Sequence, residues 1–186
     1  VGGTATDCTV SAGEQDVYGT ANDTLVENGG LQVVENGGTA TNTTISGGTV
    51  EVFADGTLNG SLTFESSSGA LQIDGASLPT APTTLIGASI SGFGSGDTID
   101  LTSADDVPAS HADMNYATDV LTITDGGNSY NLDFSGDFTG DYFHLAPDNS
   151  GNGTLITEDD QPCYCRGTLI RADTGELAVE HLAIGD

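Results

Sequence analysis

GGTATNTTISGGTVEVFADGTLNGS, residues 37–61, is the stretch whose reading decides the fold. Two Gly-Gly-Thr breaks, Gly37-Gly38-Thr39 and Gly47-Gly48-Thr49, and one Asp-Gly-Thr break, Asp55-Gly56-Thr57, bracket short runs in which apolar and polar residues alternate, as in Val50-Glu51-Val52. Alternation with a period of two is the pattern of a strand buried on one side. Glycine at the breaks is expected to supply the positive φ that tight turns need.

Working outward, Gly19-Thr20, Gly38-Thr39 and Gly56-Thr57 recur at steps of 19 and 18 residues, and Gly3-Thr4 lies 16 residues earlier. That period is the length of one coil of a solenoid. Val33, Val50, Val52, Leu62, Phe64, Leu71 and Ile73 are expected to stack into an inner ladder, with Glu35, Glu51, Glu65 and Gln72 facing water. A single coil cannot bury its own apolar side, so stability must come from neighbours stacked about 4.8 Å apart, roughly four coils making a prism about 20 Å tall. The open edges of such a stack invite another chain unless they are capped.

Charge narrows the function. The chain has 28 Asp and Glu against 2 Lys and Arg, a net charge of −26, and Arg166 and Arg171 are its only fixed cations. Nucleic-acid binding depends on neutralising phosphates and is excluded on this balance, as is attraction to anionic membrane surfaces. No apolar run approaches the roughly 18 residues of a membrane helix, so no membrane insertion is expected. Self-repulsion on this scale is tolerable where salt or divalent cations screen it, which points outside the cell. No leader pattern precedes Val1, and a chain opening on Val reads as a product of trimming. The 27 Gly and the absence of Trp would suit disorder, but the regular spacing of Val, Ile, Leu, Phe and Tyr argues for short strands.

The run at residues 37–61 resembles the repeats of AIDA-type autotransporter adhesins, over about 75 residues of this chain. The resemblance implies a right-handed parallel β-helix displayed on a Gram-negative cell, with sugars on Ser and Thr as a possible modification. The solenoid is read as residues 1–77 and a connector with two prolines as residues 78–88. Within 89–157 the runs ISGFGSGDTIDLT, VLTITDGG, SYNLDFSG, YFHLA and GTLIT give five or six strands, and Asp125-Gly126-Gly127 between two alternating runs signals a hairpin. GFGSGDTIDL, Tyr116, Leu121, DGGNSYNLDFSGDF and DNSGNGTLIT are similar to a module that follows solenoid repeats in very large secreted bacterial proteins, which implies a capping role.

After a charged linker at 158–162, PCYCRGTLIRADTGELAVEHLAIGD introduces both arginines. This run resembles the opening of the Hint family, the autoprocessing fold shared by hedgehog C-terminal domains and inteins. On that resemblance Cys163 is a nucleophile that attacks the Pro162 carbonyl to give a thioester, Gly167 and Thr168 belong to the strand behind it, and Gly185-Asp186 close the first hairpin region. The chemistry needs a thiolate and a positioned His. The family places that His beyond Asp186, and His181 does not match it, so residues 163–186 are read as a truncated start that does not catalyse, and the chain as no enzyme. Alternatively, Cys163 and Cys165 are disulfide partners, with or without Cys8, or free thiols, and an odd thiol could join molecules.

Asp148-Asn149-Ser150-Gly151-Asn152-Gly153 has the composition of a calcium loop, with Asp148, Asn149 and Asn152 as the candidate ligands. A plain turn is the competing reading, as it is for Asp97-Asp100, Asp105-Asp106 and Asp137-Asp141. No other cofactor is implied. Polysaccharide cleavage by paired carboxylates has little support, because Tyr18 and Phe53 are the only aromatics in the repeats besides the inward-reading Phe64. Asn22, Asn42, Asn59 and Asn152 open Asn-x-Ser/Thr triplets, which chance explains in this composition.

The sequence thus predicts an all-β protein: a right-handed parallel β-helix, or solenoid, followed by a β-rich capping module. The expected role is that of a structural or adhesive passenger, secreted or held on a bacterial cell surface, whose partner is a host or neighbouring cell surface. Two alternatives stand beside it: a self-assembling filament subunit whose partner is itself, and a passenger released by processing before Cys163.

Overall fold

A computed structural model describes residues 2–66, 68–74, 83–104, 110–125, 127–148, 153–159, 169–172 and 175–178. It is all-β, with no helix among the described residues, and its coils stack in parallel into a β-solenoid of about four turns. In the first coil β1 (Thr4–Thr6), β2 (Thr9–Val10) and β3 (Glu14–Val17) follow one another. Each later coil has one long and one short strand: β4 (Thr20–Glu27) with β5 (Leu31–Val34), β6 (Thr39–Ser46) with β7 (Thr49–Val52), and β8 (Thr57–Phe64) with β9 (Ala70–Ile73). Long strands pair in parallel with long strands, and short with short, so each step of 18 to 21 residues returns the chain to the same place one rung higher.

The long strands are bent. Asp23, Asn42 and Gly60 have φ of 54°, 56° and 70° in the middle of β4, β6 and β8, and Asp7 has φ of 54° between β1 and β2. Across Asp23 the alternation slips by one: Ala21 is buried, Asn22 and Asp23 face out, and Thr24 and Val26 are buried again. Asp and Asn tolerate the left-handed region because their short polar side chains bond locally. Here the Asn42 amide donates to Asp23 Oδ1 at 3.1 Å, and Asn42 Oδ1 accepts from the Ser61 N–H at 3.3 Å. Each coil therefore has three flanks: the first limb of the long strand, its second limb, and the short strand.

Registers confirm most of the expected inner ladder. Val50, Leu71 and Ile99 align, as do Val34, Val52, Ile73 and Leu101, and all are buried. Val33 departs from the expectation. It aligns with Asp16, Glu51 and Gln72 in the outward column and, although itself buried at 5% exposure, is not part of the contiguous apolar cluster, while Gln32 aligns with Val50 and is fully buried. Leu-Gln-Val-Val fits either phase of a period-two pattern, and only pairing with the neighbouring rungs chooses between them.

The glycine pairs do two different jobs. Gly29, Gly37 and Gly47 have positive φ, as expected of a turn. Gly30, Gly38 and Gly48 do not; a Cβ on Gly38 would overlap the Val17 carbonyl oxygen of the rung below, one on Gly30 would overlap the Val10 carbonyl, and one on Gly48 would lie 2.6 Å from the Glu27 carbonyl. Their second role is to let two backbones approach.

Parallel stacking runs past residue 77. β11 (Gly87–Ser91), which begins inside the stretch read as connector, lies parallel on β8, and β12 (Thr98–Leu101) lies parallel on β9. The remaining strands close the column. β13 (His111–Asn115), β14 (Val120–Asp125) and β15 (Asn128–Ser135) form an antiparallel meander, and β15 also lies parallel to β11 and to the short β10 (Thr83–Thr84). The Asp125↔Asn128 register leaves a two-residue turn, with Gly127 at φ 93°, where the hairpin was expected. On the other sheet β17 (Thr154–Asp159) runs antiparallel to β12, and β16 (Tyr142–Pro147) antiparallel to β17. The outermost strands, β13 and β16, touch each other.

An aromatic cluster joins column to cap. Phe93 sits 5.3 Å from Phe64, 5.9 Å from Phe134 and 6.3 Å from Phe143 between ring centroids, and Phe138 lies 5.2 Å from Phe134. These rings continue the apolar core where the coil pattern ends. A separate antiparallel hairpin pairs β18 (Leu169–Ala172) with β19 (Gly175–Ala178) within the stretch that resembles a Hint start.

Candidate functional site

Because the coils are in register, each outward position repeats up the column, and the candidate sites are flanks and ends. On the short-strand flank one outward column runs Asp16, Val33, Glu51, Gln72, Asp100, with Glu14 at the start of the neighbouring column. Glu35 and Asp74 follow β5 and β9 on the same side. Like charges crowd there. Glu14 is raised from its ordinary value by a hydrogen bond to Asp16 and by the charges of Asp16 and Glu35. Glu51 is raised first by partial burial and then by Asp74, Glu14 and Glu35. Partial burial and the Asp148 charge raise Asp100, against a hydrogen bond from Gln72. The Tyr18 phenol, on an exposed side chain at the corner, is pushed up by its hydrogen bond to Glu35.

The first-limb flank is uncharged. Its outward columns are Thr4, Thr20, Thr39, Thr57 and Thr6, Asn22, Thr41, Asn59. None of these eight side chains makes a hydrogen bond within the described protein. Behind them Ala21, Ala40 and Leu58 are buried. The second-limb flank carries Thr9, Leu25, Thr44 and Thr63, where the Thr63 and Ser91 hydroxyls lie 3.1 Å apart.

The first rung lies at the end of the column away from β13–β17. β1 and β3 each have a neighbour on one side only among the described residues. A pocket of about 280 Å³ lies there, lined by Gly2, Gly3, Gln15, Tyr18 and Gly19 among others. Inside this end the core is polar: Gln32 Nε2 donates to Gln15 Oε1 at 2.8 Å, and the Thr43 hydroxyl donates to Gln32 Oε1 at 3.2 Å. The buried Thr24 hydroxyl beside them has no partner. Cys8 is a half-buried free thiol on the first rung.

The expected site residues divide sharply. Cys163, Cys165, His181 and the Pro162 carbonyl lie outside the described residues, as do Asn149, Asn152 and Asp105-Asp106. Asp148 is described; its N–H donates to the Gly153 carbonyl at 3.1 Å. Among the described residues no group of three or more His, Cys, Asp or Glu could hold a metal ion. Asp97 is a structural carboxylate. It is buried and accepts from the Gly69 N–H at 2.8 Å and the Gly94 N–H at 3.2 Å, and burial raises its pKa against those bonds. Asp137 accepts from the Thr139 N–H at 3.0 Å and is lowered by its bonds to Thr139. Comparison of the chain with protein-family models and with curated proteins gave no match.

Sequence reading missed the Gln15–Gln32–Thr43 network and the Thr/Asn flank. For the flank a signal was present: Thr-Ala-Thr, Thr-Ala-Asn, Thr-Ala-Thr and Thr-Leu-Asn follow the Gly turns at positions 4, 20, 39 and 57. The network left no such trace, since a polar residue in an alternating run reads as outward by default.

Proposed function

We propose that the chain is an extracellular structural or adhesive β-solenoid passenger, secreted by a bacterium or held on its surface, that engages other cell surfaces through its flanks. The observation that carries this reading is the in-register repetition of outward side chains over successive rungs. It multiplies one weak contact along a rigid column, as multivalent binding requires. The lopsided charge supports an extracellular setting, where salt screens self-repulsion. The test is retention of labelled full chain on panels of bacterial and host cells. Saturable retention on at least one cell type, competed by unlabelled chain, is expected; uniform failure to saturate on every cell type refutes the adhesive role.

A second reading, a filament subunit that adds strands at an end of the column, rests on the strand edges that a solenoid presents wherever its stack stops. Sedimentation at high concentration and moderate salt separates the two, because a strict monomer has no such assembly. Release by a Hint-type domain remains a proposal resting on the Cys163 motif. Intact mass of the natural product ending at Pro162 supports cleavage there, and a product continuing through Asp186 counts against it.

A further inference from the structure

We infer that the Thr/Asn flank, Thr4, Thr6, Thr20, Asn22, Thr39, Thr41, Thr57 and Asn59, is a site for the surface of crystalline water. This gives the proposed adhesion a ligand, and rests on that reading only in requiring the flank to face solvent.

The first support is geometric. Parallel rungs repeat about every 4.8 Å, and two outward residues of one strand lie about 6.6 Å apart, so the eight side chains form a two-by-four grid about 14 Å long. These two repeats are close to those with which oxygen atoms recur on the prism plane of ice. No single hydroxyl needs to bind tightly if all eight meet a lattice that repeats as they do.

The second support is that the polar groups are free. Some threonine hydroxyls elsewhere are committed within the protein, Thr43 to Gln32, Thr102 to Asp74, Thr122 to Asn131 and Thr154 to the Ala104 carbonyl, while others, such as Thr24, are not. On this flank none is, and so every hydroxyl and amide is left for water. Threonine also brings a methyl group and a χ1 restricted by β-branching, which holds the hydroxyl in a narrow set of directions.

Rigidity and charge complete the case. The flank is backed by the buried Ala21, Ala40 and Leu58, and its border is pinned by the Asn42–Asp23 and Ser61–Asn42 hydrogen bonds. In a chain with 28 Asp and Glu, none falls on these eight positions, whereas the short-strand flank carries Glu14, Asp16, Glu51 and Asp100. A carboxylate orders its own hydration shell and would break the match to a water lattice. An ordered polysaccharide surface offers a similar array of oxygens, but sugar faces are gripped by stacked aromatics, and this flank has none.

The test uses the full chain at neutral pH in three measurements: partition into a slowly grown ice shell, inhibition of ice recrystallisation, and retention on crystalline cellulose. Expected is enrichment in ice over a similarly acidic control protein, with recrystallisation slowed. Thr39→Tyr, which keeps a good strand former but breaks the flat grid, should cut the enrichment severalfold, while Thr44→Tyr on the second limb should not. Far-UV circular dichroism confirms that both variants are folded, and if Thr39→Tyr fails to fold, Thr41→Tyr takes its place. Exclusion of the native chain from ice, equal enrichment of the flank variant, or retention on cellulose with none in ice overturns the inference. The cell-retention assay is independent, so failure on ice leaves the adhesive reading to its own test.

Discussion

Gly37 and Gly38 are adjacent, yet they should respond to alanine for opposite reasons and by different amounts. Gly37 has φ of 80°, and a Cβ there meets open space. Its substitution costs the left-handed penalty of about 1–2 kcal/mol. A stiffer unfolded chain returns about 0.4–1 kcal/mol of that, for a net loss of about 1 kcal/mol. Gly38 has ordinary φ, so alanine incurs no such penalty. Its Cβ would instead fall on the Val17 carbonyl oxygen, which accepts from the Glu35 N–H at 3.1 Å. Overpacking costs about 1–3 kcal/mol. The displaced hydrogen bond adds about 1 kcal/mol, and after the same unfolded-state gain the loss is about 2–3 kcal/mol. For a chain of this size that is about 3 °C in Tm for Gly37→Ala and about 8 °C for Gly38→Ala. Urea unfolding of both variants, followed by far-UV circular dichroism, gives the ranking through the midpoint at unchanged slope. If Gly38→Ala is as stable as Gly37→Ala or more so, close rung approach does not set the glycine requirement, and the stacking argument fails.

Gln32→Leu should destabilise by about 1–3 kcal/mol, because it leaves the Thr43 hydroxyl and the Gln15 amide without their buried partner. Val33→Thr, at a buried position of the outward column that lies outside the contiguous apolar cluster, should cost less than Gln32→Leu, about 1 kcal/mol; a reversed order in chemical denaturation would return Val33 to the inner ladder. Acidification from neutrality should raise Tm. The folded state holds Glu14, Glu51 and Asp100 above their ordinary values and so binds more protons than the unfolded chain; the stability this adds is fully present below the ordinary value, 4.5 for Glu51, and is lost as pH rises through the raised folded one. Glu51→Gln should therefore raise Tm at pH 7.5 and reduce the gain on acidification, and calorimetry across that range showing no change in either would contradict the acidic-flank account. Phe93→Ala removes the ring between Phe64, Phe134 and Phe143 and should cost about 3–5 kcal/mol, with hydrogen exchange rising in β13–β17 before β4–β7.

The sequence by itself determined the coil. Recurring Gly-Thr turns at steps of 19 and 18 residues, with Val50-Glu51-Val52 alternation between them, leave a parallel stack as the way to bury one face of each short strand. The Asp125-Gly126-Gly127 hairpin was legible for a similar reason, since a two-residue turn is a local matter of backbone conformation. The chemical readings at Cys163, Asn149 and Asn152 lie outside the described residues and remain sequence readings. Tertiary structure alone decided which phase Leu31-Gln32-Val33-Val34 adopts and why Gly38 is glycine. It also decided how far the column runs beyond residue 77 and that eight uncharged side chains share one flank. Each of those depends on what lies one rung away, 16 to 28 residues distant in the chain, where a local pattern carries no information about register.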